Sequence, residues 1–252
     1  MATTGSDAVD REMHVPGLFN LRDLGGLPIR SGGTVRPGLL LRSGELSGLR
    51  PEGAEMFAEL GLRTVVDLRT LDEAAARPDA LDGTAATLHL IPLLSLSYNE
   101  IPLAQVDLYS YFADFCLTET ARVVKVLAAP NALPGLFHCA VGKDRTGIVA
   151  AVVLSLIGVP DEQIVADFLQ SNPGLGLPRT PGVLSAAAAK VAEATPVYDM
   201  LMSARHAVRA ELITGFLARV RERHGSVADY LRSGGVTDDE MTTLEAALVD
   251  RG

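Results

Sequence analysis

Two cysteines in 252 residues, Cys116 and Cys139, cannot make a disulfide framework, and such a pair suits a reducing compartment. Histidine is scarce too. The five present form no close pair, so neither a metal centre nor a cofactor is expected. A membrane span takes roughly 20 apolar residues, and the uncharged run Ile148 to Val159 falls well short of that. Residues 1–15 are polar and hold no apolar stretch of the kind a signal peptide carries, which sets the expectation of a cytoplasmic protein. Positive charge is in the minority: 22 Lys and Arg face 31 Asp and Glu, for a formal net charge of −9 and a pI near 5.0. Neither nucleic acid nor stable association with an anionic membrane is expected of such a chain.

With 48% hydrophobic residues, the chain can bury one substantial core. Residues 1–14 read as a frayed arm and 15–252 as a single domain. Leu27 to Arg30 and Thr34-Val35 flank Ser31-Gly32-Gly33, the composition of a hairpin turn. Leu39 to Leu41 is a short strand, and Pro51 to Leu60 a helix stopped by Gly61. Thr64 to Leu68, rich in β-branched residues, predicts a buried parallel strand, and Thr87 to Ile91 another. A helix over 109–129 leads to a strand at 136–139, a helix at 147–157, and a further helix from Asp161. Ser171 to Gly182 holds three Pro and three Gly, which predicts a loop or hinge. Ala186 to Ala194 and Tyr198 to Arg223 read as helices, the second closed by His224-Gly225. Thr237-Asp238-Asp239-Glu240 is a capping box opening the last helix. Strands interleaved with helices predict an α/β fold, a mostly parallel central sheet flanked by helices with a helical C-terminal part.

The chemistry lies in His138-Cys139-Ala140-Val141-Gly142-Lys143-Asp144-Arg145-Thr146-Gly147. A strand leads in and a helix leads out, so consecutive backbone N–H groups from Ala140 to Arg145 would aim at one point, with the helix dipole behind them. A phosphate fits such a nest, and the same field favours a thiolate at Cys139. A nucleophile and an anion cradle on one loop make a phosphatase. The neighbouring motif is excluded: a nucleotide-binding P-loop needs Gly at 137 and Ser or Thr at 144, where this chain has Phe137 and Asp144. A Cys–His protease would not need Arg145, six residues on. Cys139 reads as the nucleophile that forms a cysteinyl-phosphate. Arg145 holds two phosphate oxygens through its planar fork. Arg145 and the amides carry the transition-state charge, so the mechanism calls for no metal. Thr146 either hydrogen-bonds the sulfur or simply opens the helix. His138 orders the loop rather than acting as a base. Lys143 either binds a second phosphate or acidic flank, or is merely solvated. Cys116 reads as a core residue or as a redox partner of Cys139.

This loop resembles that of the atypical bacterial protein-tyrosine phosphatases, a group that includes mycobacterial secreted enzymes acting on phosphotyrosine and phosphoinositides. Asn20-Leu21-Arg22-Asp23-Leu24-Gly25-Gly26, Leu41-Arg42-Ser43-Gly44-Glu45-Leu46, Val66-Asp67-Leu68-Arg69-Thr70 and Arg223 to Leu231 are similar to other blocks of that family. The resemblance implies a protein-tyrosine-phosphatase-like fold and a convergence of Arg22, Arg42, Arg69, Lys143 and Arg145 on a positive pocket. It favours Asp144 as the acid that protonates the leaving oxygen; Asp67 at its strand end, or a residue from 90–110 such as Asp107, is the rival. Asp67 has a plainer role open to it, ordering Arg69 or a loop N–H. The resemblance also implies a lid over the pocket, here at 171–205. The expected substrate is a phosphorylated protein, with phosphotyrosine foremost. A small-molecule phosphomonoester is the alternative, and a phosphate-dependent binding protein without turnover the remote one.

Overall fold

A computed structural model describes residues 11–94, 105–171 and 207–252. Its core is a five-stranded sheet of β1 (Arg22–Asp23), β3 (Leu40–Ser43), β6 (Gly135–His138), β4 (Thr64–Asp67) and β5 (Thr87–Leu90), in that spatial order. All neighbours are parallel except β1, which runs antiparallel to β3. A small second sheet pairs β2 (Thr34–Val35) with β7 (Val249–Asp250). The expected fold class is the one observed.

Period-two alternation puts both faces of the sheet to use. Leu41, Leu136 and Val65 lie in register and face one apolar cluster with Leu46, Phe57 and Leu62. Leu40, Phe137 and Val66 face the opposite and larger cluster. That larger side receives helix α5 (Asp144–Leu156), buried at every position from Asp144 to Leu154. A helix apolar all round must lie inside the protein, and α5 fills the space behind the centre of the sheet. Gly147 lets α6 (Asp161–Leu169) come close, for a Cβ there would sit 2.7 Å from the Phe168 ring. The segment from Cys139 to Lys143 thus leaves the central strand and enters the central helix.

Around this frame lie α1 (Pro51–Leu60), α2 (Leu71–Ala76), α3 (Gln105–Phe115) and α4 (Leu117–Ala128). The C-terminal part contributes α7 (Ala210–His224), α8 (Val227–Ser233) and α9 (Asp238–Leu248). Gly61 ends α1 with φ of 72°, as its position suggested. The hairpin at 27–35 is present, with Gly32 and Gly33 both at positive φ.

Three boundaries differ from the expectation. The helix expected over 109–129 is two helices broken at Cys116, whose ψ of 23° leaves the helical region. The break lets α3 pack on α7 while α4 packs on α8 and α9. The Cys116 thiol donates to Leu93 O at 3.0 Å and is pushed up to about 12 by burial, so it is a core cysteine rather than a redox partner. Helix α5 starts at Asp144 rather than 147, because Lys143 O already accepts Gly147 N at 2.9 Å. The last long helix starts at Ala210, after extended backbone at Arg209, and residues 198–206 of the expected helix lie outside the described residues. The helix expected at Ala186 to Ala194 and nearly all of the lid expected at 171–205 lie outside the described residues, as does most of the 1–14 arm.

The capping box at the start of α9 is formed on both sides: Thr237 Oγ1 accepts Glu240 N at 3.2 Å and Glu240 accepts Thr237 N at 2.8 Å. Thr237→Ala is expected to lose about 1 kcal/mol, a fall in Tm of about 2–4 °C, with catalysis unchanged. Differential scanning calorimetry with a phosphatase assay would check it; an unchanged Tm would mean the cap is idle.

Candidate active site

Cys139 stands at the end of β6, and the next residues turn before α5 begins. The orientation of each peptide in that turn is set from outside. Glu45 N donates to Ala140 O at 3.3 Å. Asn20 Nδ2 donates to Val141 O at 2.9 Å and to Gly142 O at 3.0 Å. Arg42 Nη2 donates to Gly142 O at 2.9 Å. With these carbonyls drawn away, the opposed N–H groups turn inward, and Gly142 N donates to Cys139 Sγ at 3.3 Å. Gly142 has φ of +72°, and a Cβ there would lie 2.3 Å from Ser43 O, so only glycine fits. No side chain caps the N-terminus of α5 at Lys143, which leaves its first amides to an anion.

Arg145, in the first turn of α5, meets Glu73 of α2 end-on: Nη1 to Oε2 at 2.6 Å and Nη2 to Oε1 at 2.9 Å. Glu73 is itself fixed, since its Oε2 accepts Thr70 N at 2.8 Å in a capping box. Burial pushes the Glu73 carboxyl up, but the charge and hydrogen bonds of Arg145, with the Thr70 amide, bring it down to about 2. Glu73 takes the end of the guanidinium, and the side edge, Nε with the second N–H of Nη2, has the shape to hold two phosphate oxygens.

The convergence expected of the other arginines takes a different form. Arg22 and Arg42 are buried and share Asp167 of α6, with Arg22 Nε to Oδ1 at 2.9 Å and Arg42 Nη1 to Oδ2 at 2.6 Å. Arg11 adds a third guanidinium to that carboxylate at 2.9 Å. Arg69 is committed to Asp67 and Asp79, at 2.7 and 2.8 Å. A buried charge persists only when paired, so these arginines support the loop from behind instead of lining a pocket. Burial lowers Arg42 to about 10, which still leaves it charged at neutral pH.

Asp144 is buried, with Oδ1 accepting Tyr109 OH at 2.8 Å and Oδ2 lying 3.6 Å from Lys143 Nζ. Asp67 accepts the backbone N–H of Arg69 at 2.9 Å as well as its side chain, the ordering role open to it. His138 Nε2 pairs with Asp79 Oδ2 at 3.0 Å, and its Nδ1 is 3.4 Å from Cys139 O. Asp67, Asp79 and His138 offer ligand atoms within 4.8 Å of one another, but Arg69 already fills that space with positive charge. Thr146 Oγ1 is buried without a hydrogen-bond partner. Ala140 and Val141 are buried in the loop wall. The side chain of Asp107 lies outside the described ones.

Sequence reasoning passed over Glu73, Asp79, Tyr109 and Asp167, and treated Asn20 only as part of a block. One signal was available: Thr70-x-x-Glu73 is a capping box directly after the Val66–Thr70 block. Nothing local marks Asp167 or Tyr109, whose partners are distant in sequence.

Residues 13–250 match the model of a family described as "Tyrosine phosphatase family". The chain is 30% identical over 283 residues to the triple specificity protein phosphatase PtpB of Mycobacterium tuberculosis, covering 93% of this chain and 98% of that one. It is 30% identical over 222 residues to the tyrosine-protein phosphatase of Nostoc commune, covering 84% and 74%. Among solved structures, TpbA of P. aeruginosa matches with a TM-score of 0.36 at 19% identity, covering 67% of this chain and 88% of that one.

The Glu73–Arg145 pair has a pH signature. The folded carboxyl titrates below its unfolded value of about 4.3, so its stabilisation is complete above that pH and drains away as pH falls through about 2. Glu73→Gln is expected to lose about 2–3 kcal/mol at pH 7 and to flatten the acid limb between about pH 4.3 and 2. Urea unfolding over pH 2–7 measures this, and parallel curves for the two proteins would disprove it.

Proposed function

The chain belongs to the tyrosine phosphatase family, and on that premise we propose that it hydrolyses phosphomonoesters through a phosphocysteine at Cys139, with phosphotyrosine in proteins as the main substrate. The observation that carries this is the outward tether of the Ala140, Val141 and Gly142 carbonyls, which gives the nucleophile and the anion cradle one shared loop. In the first step the Cys139 sulfur attacks phosphorus. The S–P bond forms as the P–O bond to the leaving group breaks, and Asp144 gives its proton to the leaving oxygen. The loop amides and the side edge of Arg145 take the three equatorial oxygens, so that charge is met by donors already in place. In the second step water attacks phosphorus and returns a proton to Asp144, while the electron pair of the S–P bond goes back to sulfur.

Asp144 is favoured as the acid over Asp67, because Asp67 is held by the backbone and side chain of Arg69. Thr146 has a hydroxyl without a partner one residue after Arg145, which supports a hydrogen bond to the departing thiolate during the second step. Lys143, next to the cradle and 3.6 Å from Asp144, favours a second reading in which a small polyanionic phosphomonoester is the substrate. Two unpaired thiols suit a reducing, cytoplasmic setting. Among the described residues no helix is long and apolar enough to cross a membrane.

Cys139→Ser should abolish turnover of an aryl phosphate while phosphate-analogue binding persists, and wild-type activity should survive EDTA. Turnover undiminished in that variant, or activity lost to EDTA and restored by a metal, would point to other chemistry. Asp144→Asn is expected to lose roughly 10²–10⁴-fold on a phosphotyrosine peptide and much less on a nitrophenyl ester, whose leaving group needs no acid. Steady-state kinetics on both substrates decide this; matched losses would reduce Asp144 to shaping the cradle. A panel of phosphopeptides, phosphoinositides and nucleotides compared by kcat/KM separates the two substrate readings.

A further inference from the structure

Tyr109 comes from α3, on an element separate from the loop, yet its hydroxyl reaches the reacting groups. The ring is buried and packed edge-on against Phe112, with centroids 6.0 Å apart, and against Phe168 of α6, 5.9 Å apart. Two perpendicular contacts of this kind fix both the position and the tilt of a ring. The hydroxyl is thereby delivered to Asp144 Oδ1 at 2.8 Å. Burial first, and then the charge of Asp144, hold the phenol well above its ordinary range. At any working pH Tyr109 therefore keeps its proton and donates.

A carboxylic acid has two oxygens, and a general acid transfers its proton from one of them only. We propose that Tyr109 is a positioning residue for the general acid, occupying Oδ1 of Asp144 and so confining the transferable proton to Oδ2. A proton on Oδ1 would weaken that oxygen as an acceptor and leave a buried phenolic donor poorly matched. Oδ2 is the oxygen on the side of Lys143, 3.6 Å from its Nζ, and Lys143 belongs to the phosphate loop. The hydrogen bond thus chooses the oxygen and also stops the carboxyl group from rotating about its Cβ–Cγ bond. During the first step the proton leaves Oδ2 for the leaving oxygen, and Tyr109 continues to donate to the carboxylate. In the second step the proton from water returns to Oδ2.

This assignment rests on Asp144 being the acid, and the experiment separates the two readings. Tyr109→Phe keeps the ring and its packing on Phe112 and Phe168 and removes the one hydroxyl. On a phosphotyrosine peptide kcat is expected to fall about tenfold, a part of what acid catalysis contributes, with KM unchanged. On a nitrophenyl ester the loss is expected to stay below about threefold, since proton transfer matters little there. In the Asp144→Asn background, Tyr109→Phe should cost nothing further, because residues that act as a unit are not additive. A merely structural role would lower both substrates alike and add to the Asp144→Asn loss. If Tyr109→Phe behaves that way while Asp144→Asn keeps its leaving-group dependence, the Tyr109 assignment is wrong and the acid stands. If Asp144→Asn itself shows no leaving-group dependence, the acid reading falls and takes this one with it. Far-UV circular dichroism and the melting curve confirm that the Phe variant is folded.

Discussion

The outward pull on the carbonyls of Ala140, Val141 and Gly142 is what the rest of the site depends on. A peptide group is a rigid plane, so fixing the oxygen on one side fixes the N–H on the other. Left alone, a loop of this length would turn some oxygens toward its centre, where they would repel a phosphate. The tethers are Asn20 just before β1, Arg42 within β3 and Glu45 just after it. They reach the loop because β3 and β6 are parallel neighbours, with Arg42 opposite Phe137 and Ser43 opposite His138. The sheet register is therefore the first determinant of anion binding, and Asn20, held at φ of 52°, is its most economical instrument. One amide holds two successive carbonyls.

The tethers are themselves held. Arg42 cannot stay charged and buried without a counter-ion, and Asp167 supplies it from α6 together with Arg22 and Arg11. Burial works against the Asp167 charge, but the arginines outweigh it and keep the carboxylate ionised. Removing one partner from such a cluster costs about 3–5 kcal/mol, so the packing of α6 on the sheet and the shape of the phosphate loop are one constraint. Glu73 repeats the logic on the other side. Its carboxylate closes the first turn of α2 and grips Arg145 in the same geometry, so a helix cap doubles as the anchor of the phosphate fork.

What the sequence made legible is what depends on neighbours along the chain. Gly61, the Thr64–Asp67 strand, the Thr237 capping box and the strand–loop–helix turn around Cys139 each carry their signal within a few residues. The break at Cys116 does not, because the run from 109 to 129 is continuous in helical periodicity and the kink answers to two different packing partners. β1 and β7 are two-residue strands with no periodicity to read. The pairing of Arg22, Arg42 and Arg69 with buried carboxylates was hidden for a related reason. Sequence shows which cations fall in the family-like blocks, but the carboxylate that neutralises Arg22 and Arg42 is Asp167, far along the chain. Arg145 stood out from the loop and Asp144 from the family resemblance; Tyr109 and Glu73, which hydrogen-bond them, lie on other elements.

A chain with net charge −9 can bind a phosphate because net charge and local field are separate quantities. Screening shortens the reach of surface charge to about 8–10 Å, and the site is built from groups nearer than that and out of contact with water. Three guanidiniums meet at one carboxylate behind the loop, while Arg145 is matched by Glu73. Add the amides of the loop and the first turn of α5, and the potential at the Cys139 sulfur is set locally, whatever the acidic surface does. An acidic surface adds no attraction for an anion, so the short-range geometry of the loop has to hold one. Selection by geometry then falls to whatever fixes the reacting groups. Here the loop carbonyls, Arg145 and Asp144 are held by the outward tethers, by Glu73 and by the buried hydroxyl of Tyr109.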